Sequence, residues 1–239
     1  MKLLLTSAGI KNDSIRNALV DLLGKPISES RALCIPTAAY AYPECATMAS
    51  QLIRGLAASP LCELGWKSLG VLELTALPSI KKENWVPLVQ EVDALLVGGG
   101  DPFYLCYWMR QSGLADLLPE LAQTVYVGVS GGSMVLTPIT GEQYDDIDPL
   151  DPQHWCVPVT LDQADRQTDS DRALGLVDCT LYPHLDHPSM PEASSVNLER
   201  WAAGVDMPVY LIDDQTALTV IDGAVEVVSE GHWKRFTPE

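Results

Sequence analysis

Basic residues are scarce in this sequence. Only 15 lysines and arginines stand against 32 aspartates and glutamates, which gives the 239 residues a formal net charge of −17. Such a charge repels a phosphate backbone and an anionic membrane surface, so we expect neither nucleic acid nor membrane as a partner. An acidic substrate would need a local positive pocket, and few residues are available to build one.

Long apolar runs and paired cysteines are missing as well. The apolar run at the N-terminus stops at Thr6, too early for a signal peptide, and no stretch approaches the length of a transmembrane helix. The six cysteines stand singly, without a Cys-x-x-Cys pair, which argues against a disulfide framework and against a zinc site. We therefore expect a cytoplasmic protein with free thiols and with neither metal nor cofactor.

Short apolar strands alternate with helical segments through the first half of the chain. The pattern predicts strands at 3–6, 32–35, 71–74, 94–97 and 125–129. It predicts a helix that is capped at 12–14, helices at 44–56 and 85–92, and a helical region at 103–123 that is broken near Gly113. Nearly continuous apolar strands separated by helices indicate a parallel sheet covered on both faces. Because 47% of the residues are hydrophobic, one large core is expected, in a single domain over 1–239.

The second half begins with an acidic stretch at about 140–178, which we interpret as an irregular excursion from that domain. After it the pattern predicts a strand at 180–182, a helix at 193–202, a strand at 209–212 and a hairpin. The hairpin pairs 217–221 with 225–228 around an Asp-Gly turn.

The most informative segment is the strand 125–129 together with the turn after it. The strand ends in Gly-Val-Ser-Gly-Gly, the Gly-x-Ser-x-Gly pattern of a nucleophile elbow with Ser130 at its centre. Glycines on both sides remove the Cβ atoms that would collide in so sharp a turn. The N–H groups of a helix starting behind Ser130 would point toward a developing oxyanion. An ordinary glycine-rich turn between strand and helix has the same composition.

A second glycine-rich turn, at 98–100, ends the strand 94–97. Ligands of parallel sheets bind at the carboxyl ends of the strands, so this turn and Ser130 are expected to share one crevice. The turn lacks the spacings of a phosphate-binding loop. Its backbone amides suit the second half of an oxyanion hole.

A serine nucleophile needs a base, and the chain offers four histidines. His184 is the best placed, because it begins a loop directly after the predicted strand 180–182. His187 is a weaker candidate three residues on, and His154 lies in the acidic excursion. His232 would suit an α/β-hydrolase, in which the histidine comes late in the chain.

The orienting acid is harder to choose. Asp145 and Asp146 follow the elbow by about fifteen residues, whereas Asp213 and Asp214 close the strand 209–212. Most carboxylates in so acidic a chain are solvated charges, so spacing alone does not select one of them.

Together these residues resemble peptidase E, one of the serine peptidases built on the class I glutamine amidotransferase-like fold. The resemblance covers essentially the whole chain. It rests on Gly-Gly-Gly-Asp-x-Phe-x-Leu at 98–105, the serine elbow, Tyr-Pro-His at 182–184 and Ile-Asp-Asp at 212–214. It implies an α/β fold of three layers, a doubly wound and mostly parallel sheet with helices on both faces and a C-terminal β-hairpin.

Matching the family's motifs implies a role for each site residue. Ser130 matches the nucleophile and His184 the base, while the amides of Gly99 and Gly131 would form the oxyanion hole. For the acid, both Asp214 and Asp145 match carboxylates of the family. The Leu-Ile-Asp-Asp frame around Asp214 matches better.

The sequence departs from the family pattern at three places. Asp101 stands where the family usually has asparagine, and Gly131 stands where its elbow usually has alanine. The family binds the aspartyl group of its dipeptide through an arginine after the histidine. Here 191–197 contains no arginine, and Arg200 falls later. A buried substrate carboxylate without a cationic partner binds poorly, which puts the α-aspartyl specificity in doubt.

The sequence therefore predicts a serine hydrolase that cleaves peptide or related amide bonds in small peptides, as a monomer or homodimer. Two alternatives stay open. One is a ligand-binding or regulatory member of the same fold that hydrolyses nothing, and the other is an α/β-hydrolase esterase using His232. A glutaminase is disfavoured, because that chemistry uses a cysteine where this chain has Ser130.

Overall fold

The computed structural model describes residues 1–140 and 173–238. Within these ranges the strands are β1 (Lys2–Thr6), β2 (Arg31–Ile35), β3 (Ser68–Val71), β4 (Ala94–Val97), β5 (Val125–Val129), β6 (Thr180–Tyr182), β7 (Val209–Ile212), β8 (Thr216–Ile221), β9 (Ala224–Ser229) and β10 (Trp233–Phe236). The α-helices in the same ranges are α1 (Asp13–Leu23), α2 (Cys45–Ile53), α3 (Lys82–Gln90), α4 (Pro102–Ser112), α5 (Leu114–Leu117), α6 (Gly131–Met134) and α7 (Ser195–Ala202).

Seven strands form the main sheet in the order β3-β2-β4-β5-β1-β8-β9. The first five run parallel, β8 runs antiparallel to β1, and β8 and β9 form the C-terminal hairpin. This confirms the predicted fold class. Because β5 lies between β4 and β1, the carboxyl ends of these three strands meet at one edge of the sheet.

Both faces of the main sheet are covered, as the continuous apolar strands require. Side chains alternate along β1, so that Leu3 and Leu5 join the core beneath α3, α4 and α5 while Leu4 joins the core beneath α1 and α2. All three leucines are almost fully buried. Burial of each contributes about 1.5–3 kcal/mol, so the two cores hold the strand ends rigidly in place.

A second sheet of three strands, in the order β10-β7-β6, carries the loops that approach this edge. β6 and β7 are parallel and β10 is antiparallel to β7. The sheet packs on α7 through a separate apolar core that includes Tyr182, Trp201 and Leu211. The sequence pattern predicted β6 and β7 but neither β10 nor the separation of these strands from the main sheet.

Several predicted elements have the predicted bounds, and others are corrected. The strands at 94–97, 125–129, 180–182 and 209–212 are confirmed. The strand predicted at 71–74 is wrong in position, because β3 ends at Val71 and Leu74–Ser79 is a 3₁₀ helix. Leu72 and Leu74 are buried in the core although neither belongs to a strand, so this segment has the apolar pattern of a strand.

The remaining helix predictions differ mainly at their ends. The break predicted near Gly113 in the helical segment 103–123 is confirmed, because Gly113 has a φ of 79° and separates α4 from α5. The helix predicted at 193–202 begins at Ser195. Most of the acidic excursion lies outside the described residues. Among the residues described, no helix has the length and apolarity needed to cross a membrane.

Candidate active site

Ser130 lies at the turn between β5 and α6, in a strained backbone conformation. Its φ of 49° and ψ of −116° are unusual for a residue with a side chain and cost about 1–3 kcal/mol. Backbone hydrogen bonds compensate: Ser130 N–H donates to Thr6 O at 3.0 Å, and the carbonyl of Ser130 accepts from Ser133 at 2.8 Å. This is the geometry of a nucleophile elbow, with the hydroxyl raised above the sheet edge.

Glycines let the elbow and the turn after β4 pack backbone to backbone. A Cβ on Gly128 would lie 2.6 Å from the carbonyl oxygen of Gly132, and a Cβ on Gly131 would overlap the carbonyl oxygen of Gly100. A Cβ on Gly99 would lie 3.3 Å from the Cβ of Ser130. The two glycine-rich turns therefore share one crevice, as expected from the sequence.

Backbone amides in both turns lie beside Ser130. Hydrogen bonds from Gly98 N–H to Ile35 O (3.0 Å) and from Asp101 N–H to Ala38 O (3.1 Å) fix the backbone on either side of Gly99. The amide of the residue after Ser130 belongs to the first turn of α6, whose N–H groups have no partner within the helix. Such amides can bind the oxygen of a polarised carbonyl.

His184 connects Ser130 to a carboxylate. Its Nε2 lies 2.9 Å from Ser130 Oγ, and its Nδ1 lies 2.7 Å from Asp214 Oδ1. An ionised carboxylate can only accept, so Nδ1–H donates to Asp214 and the lone pair of Nε2 faces the serine hydroxyl. In this arrangement His184 can take the proton of Ser130 while Asp214 stabilises the imidazolium that results.

Ser7 also belongs to this site, although the sequence analysis missed it. Its hydroxyl donates to Asp214 Oδ1 at 2.9 Å and accepts from His184 N–H at 2.8 Å. Ser7 follows β1 directly, and β1 pairs with β5, so its position beside Ser130 follows from the strand order. Local sequence patterns do not predict the order of the strands in a sheet. The only sign of Ser7 in the sequence is therefore that it is a small polar residue directly after a predicted strand.

The pKa of Asp214 is lowered from its ordinary value. Burial acts in the opposite direction, but the hydrogen bond from His184, the charge of that imidazole and the hydroxyl of Ser7 outweigh it. Asp214 therefore stays ionised at neutral pH, which is the state that an orienting acid needs.

The structure gives the other histidine candidates within the described residues different partners from Ser130. His187 Nε2 is 3.8 Å from Asp214 Oδ2, on the far side of that carboxylate from Ser7. His232 contacts Asp213 and Asp186, with Nδ1 3.0 Å from Asp213 Oδ2. Because Ser130 bonds to His184, the esterase alternative based on His232 loses its support.

The candidates in the acidic excursion are not part of the described chain. His154, Asp145 and Asp146 all lie outside the described residues.

Asp101, which replaces the family's asparagine, caps helix α4. Its side chain accepts from Tyr104 N–H at 2.7 Å. The carboxyl group is almost completely buried, and this burial raises its pKa to about 6, against the opposing effect of its backbone hydrogen bonds. A buried carboxylate here has a structural reason, because the capping oxygen is needed at the end of the glycine-rich turn.

A doubly wound α/β sheet with a serine on an elbow, hydrogen-bonded to a histidine and through it to an aspartate, defines the class of serine hydrolases. Comparison with known proteins places the chain within that class. It belongs to peptidase family S51, which matches residues 3–228, and it is a serine-type peptidase.

Solved structures agree with this fold. A peptidase E protein from Listeria monocytogenes EGD-e is 19% identical with a TM-score of 0.65, and the alignment covers 96% of this chain and 98% of that one. A peptidase from an acI-B1 Actinobacterium is 20% identical with a TM-score of 0.61, over 99% and 93% of the two chains. Among curated proteins, none matches the sequence significantly.

Within the described residues, no group of three or more histidine, cysteine, aspartate or glutamate side chains is arranged so that it could hold a metal ion.

Proposed function

We propose that this peptidase hydrolyses small peptides through an acyl-enzyme formed on Ser130, with His184 as general base and Asp214 as the orienting acid. The amides of Gly99 and Gly131 bind the oxyanion. The observation that carries the proposal is the unbroken set of hydrogen bonds from Ser130 through His184 to Asp214, at 2.9 and 2.7 Å.

The reaction follows from these positions. Ser130 Oγ attacks the substrate carbonyl as its proton passes to His184 Nε2, and the carbonyl oxygen becomes an oxyanion. His184 then gives the proton to the departing amine, and the C–N bond breaks to leave an ester on Ser130. Water, deprotonated by His184, attacks the ester, and the bond between the acyl carbon and Ser130 Oγ breaks as His184 returns the proton to that oxygen, which releases the acid product and restores the free enzyme. The hydrogen bonds therefore favour a hydrolase over the non-catalytic alternative.

The substrate proposal is broader than the family name suggests. An α-aspartyl group needs a cationic partner, and the segment 191–197 has no arginine. Arg200 lies in the last turn of α7, exposed to solvent. We propose that the enzyme cleaves small peptides and does not require an aspartate at their N-terminus. We further propose that it acts in the cytoplasm, as a monomer or homodimer.

Substitution of Ser130 by alanine tests this proposal. In a screen of a dipeptide library, we expect turnover by the wild-type protein to disappear in the S130A variant. The S189A variant, which removes the hydroxyl of an exposed serine, is the control and should retain full activity. Undiminished hydrolysis by S130A would refute the proposed nucleophile. A strict requirement for an N-terminal aspartate would refute the proposed substrate range.

A further inference from the structure

A second histidine lies next to the site and links its two loops. His232 precedes β10, with Nδ1 3.0 Å from Asp213 Oδ2 and Nε2 3.3 Å from Asp186 Oδ2. Asp213 is the immediate neighbour of Asp214, and Asp186 is two residues from His184. The imidazole of His232 therefore lies between the loop that carries the proposed base and the strand end that carries the proposed acid.

The backbone of His232 also holds the carboxylate of Asp213 in place. The backbone N–H of His232 donates to Asp213 Oδ2 at 2.8 Å, and Thr216 Oγ1 donates to Oδ1 at 2.6 Å. A Cβ on Gly231 would overlap the same carboxylate oxygens. Only glycine at position 231 leaves room for this carboxylate beneath the turn between β9 and β10, so the turn is shaped to hold Asp213.

The other end of the link is a strained loop. His184 and Asp186 have φ values of 62° and 55°, a conformation that costs energy for residues with a Cβ. Side-chain contacts hold Asp186 there: it accepts from the backbone N–H of Ser195 at 2.7 Å, from the Ser195 hydroxyl and from His232 Nε2. Backbone bonds hold the same loop: Leu185 N–H donates to Ile212 O at 3.0 Å, and Asp186 N–H donates to Ala193 O at 2.8 Å.

This group of residues is not a second catalytic site. The hydroxyl of Ser195 bonds to Asp186 rather than to His232, and both ring nitrogens of His232 face carboxylates. No base is therefore available to Ser195. What the contacts do provide is a connection between two loops.

We propose that His232 is a positioning residue, which joins Asp186 to Asp213 and so holds His184 and Asp214 in register with Ser130. The inference rests on the proposed roles of those three residues. A displacement of about 1 Å in a catalytic group can reduce its rate contribution about 100-fold. Because the backbone bond between Leu185 and Ile212 remains when His232 is lost, a smaller effect is expected.

Three substitutions separate positioning from general stability. In the H232A and H232N variants the side chain no longer reaches Asp186. In H232Q, the amide nitrogen can reach Asp186 while the backbone N–H still holds Asp213. The K234A variant is the control, because Lys234 lies on β10 and its ion pair is with Glu199, on α7.

The first readout is the kinetics of labelling by a fluorophosphonate, which needs no knowledge of the natural substrate. We expect kinact to fall about 10-fold in H232A and H232N, with KI unchanged within about twofold. H232Q and K234A should stay within about threefold of the wild type. An unchanged kinact in H232A would overturn the inference, as would losses in all three His232 variants that simply follow their melting temperatures.

The second readout does not depend on catalysis. The Nδ1 proton of His184, bonded to Asp214, should give a strongly downfield proton resonance. We expect this resonance in the wild type and in H232Q, and faster exchange with solvent in H232A and H232N. Equal exchange in all four proteins would overturn the positioning role. Labelling that persists in S130A would instead refute the proposed function. The exchange of the His184 Nδ1 proton would then still test whether His232 positions His184.

Discussion

At the scale of single residues, Asp214 controls the state of His184. Its oxygen Oδ1 accepts from Nδ1 of the histidine and from the Ser7 hydroxyl, so an acceptor is required at this point. An asparagine would present either a donor or a weaker acceptor to the imidazole. The lowered pKa of Asp214 keeps the acceptor charged.

The D214N variant is therefore expected to lose roughly 10³–10⁴-fold in kcat, with a small change in KM. The loss arises because the imidazole is no longer held in the tautomer that accepts from Ser130. The D222N variant changes an exposed aspartate at the hairpin turn and should keep wild-type kinetics. A kcat within tenfold of the wild type in D214N would assign the orienting role to another group.

Protonation of Asp214 also links the site to acid stability. A carboxyl group with a lowered native pKa stabilises the fold above its unfolded pKa, and this contribution is lost as the pH falls through the native value. The contribution of Asp214 is therefore complete at neutral pH, and it is lost as the pH falls through the unfolded pKa and then through the lowered native pKa.

Asp101 has the opposite effect, because burial raises its pKa to about 6. The native state then binds a proton more tightly than the unfolded chain, whose aspartates titrate near 3.9, so stability falls as the pH rises from about 4 to above 6. A shift of about 2 units corresponds to about 3 kcal/mol.

We expect the D101N variant to be more stable than the wild type at pH 8, by up to about 3 kcal/mol, because asparagine caps the helix without a buried charge. The advantage should shrink as the pH falls through 6 and nearly vanish at pH 4. Urea unfolding at the three pH values measures it, with D222N as the control. A constant difference across this range would contradict the raised pKa.

At the scale of elements, the decisive contact is between the two glycine-rich turns. Their backbones approach so closely that a Cβ on Gly131 would overlap the carbonyl oxygen of Gly100. Ser130 and the amide of Gly99 consequently depend on each other for their positions.

The G131A variant should therefore be less stable by about 1–3 kcal/mol and should lose most of its activity, since overpacking displaces the amides proposed to bind the oxyanion. Thermal unfolding and peptide turnover measure the two effects. The G204A variant is the control, because a Cβ there meets only Trp201 O at 3.6 Å. Wild-type activity in G131A would mean that the two turns can separate without affecting the site.

The elements also differ in how well the sequence predicts them. β4 and β5 were predicted at their observed bounds, because a buried parallel strand is a short apolar run that ends at glycine. The strand predicted at 71–74 was misplaced, since Leu72 and Leu74 are buried in the core without belonging to a strand and produce the same apolar signal. β10 was missed because its side chains are mostly exposed and show no apolar pattern.

At the scale of the whole molecule, the sequence predicted the residues of the site better than the way the fold assembles them. Ser130 and His184 could be named because each follows a recognisable strand, whereas Asp214 was preferred to Asp145 only through the resemblance of its Leu-Ile-Asp-Asp frame. Ser7 and His232 could not, because their relevance depends on which strands are neighbours and on the second sheet formed by β6, β7 and β10. Sequence patterns record local structure, whereas these two residues act through tertiary contacts.

The division into two sheets also determines which contacts the geometry of the site depends on. Ser130 and Ser7 follow strands of the main sheet, while His184 and Asp214 follow strands of the smaller one. The site therefore lies where the two sheets meet, and its geometry depends on the contacts between their loops.

The most direct test is to find where a fluorophosphonate attaches to the intact protein. Mass spectrometry of the digested adduct should place a single modification on Ser130 in the wild type, and the H184A variant should react at least about 100-fold more slowly, because the base is missing. A modification on another serine, or labelling of Ser130 that does not depend on His184, would contradict the account of this site.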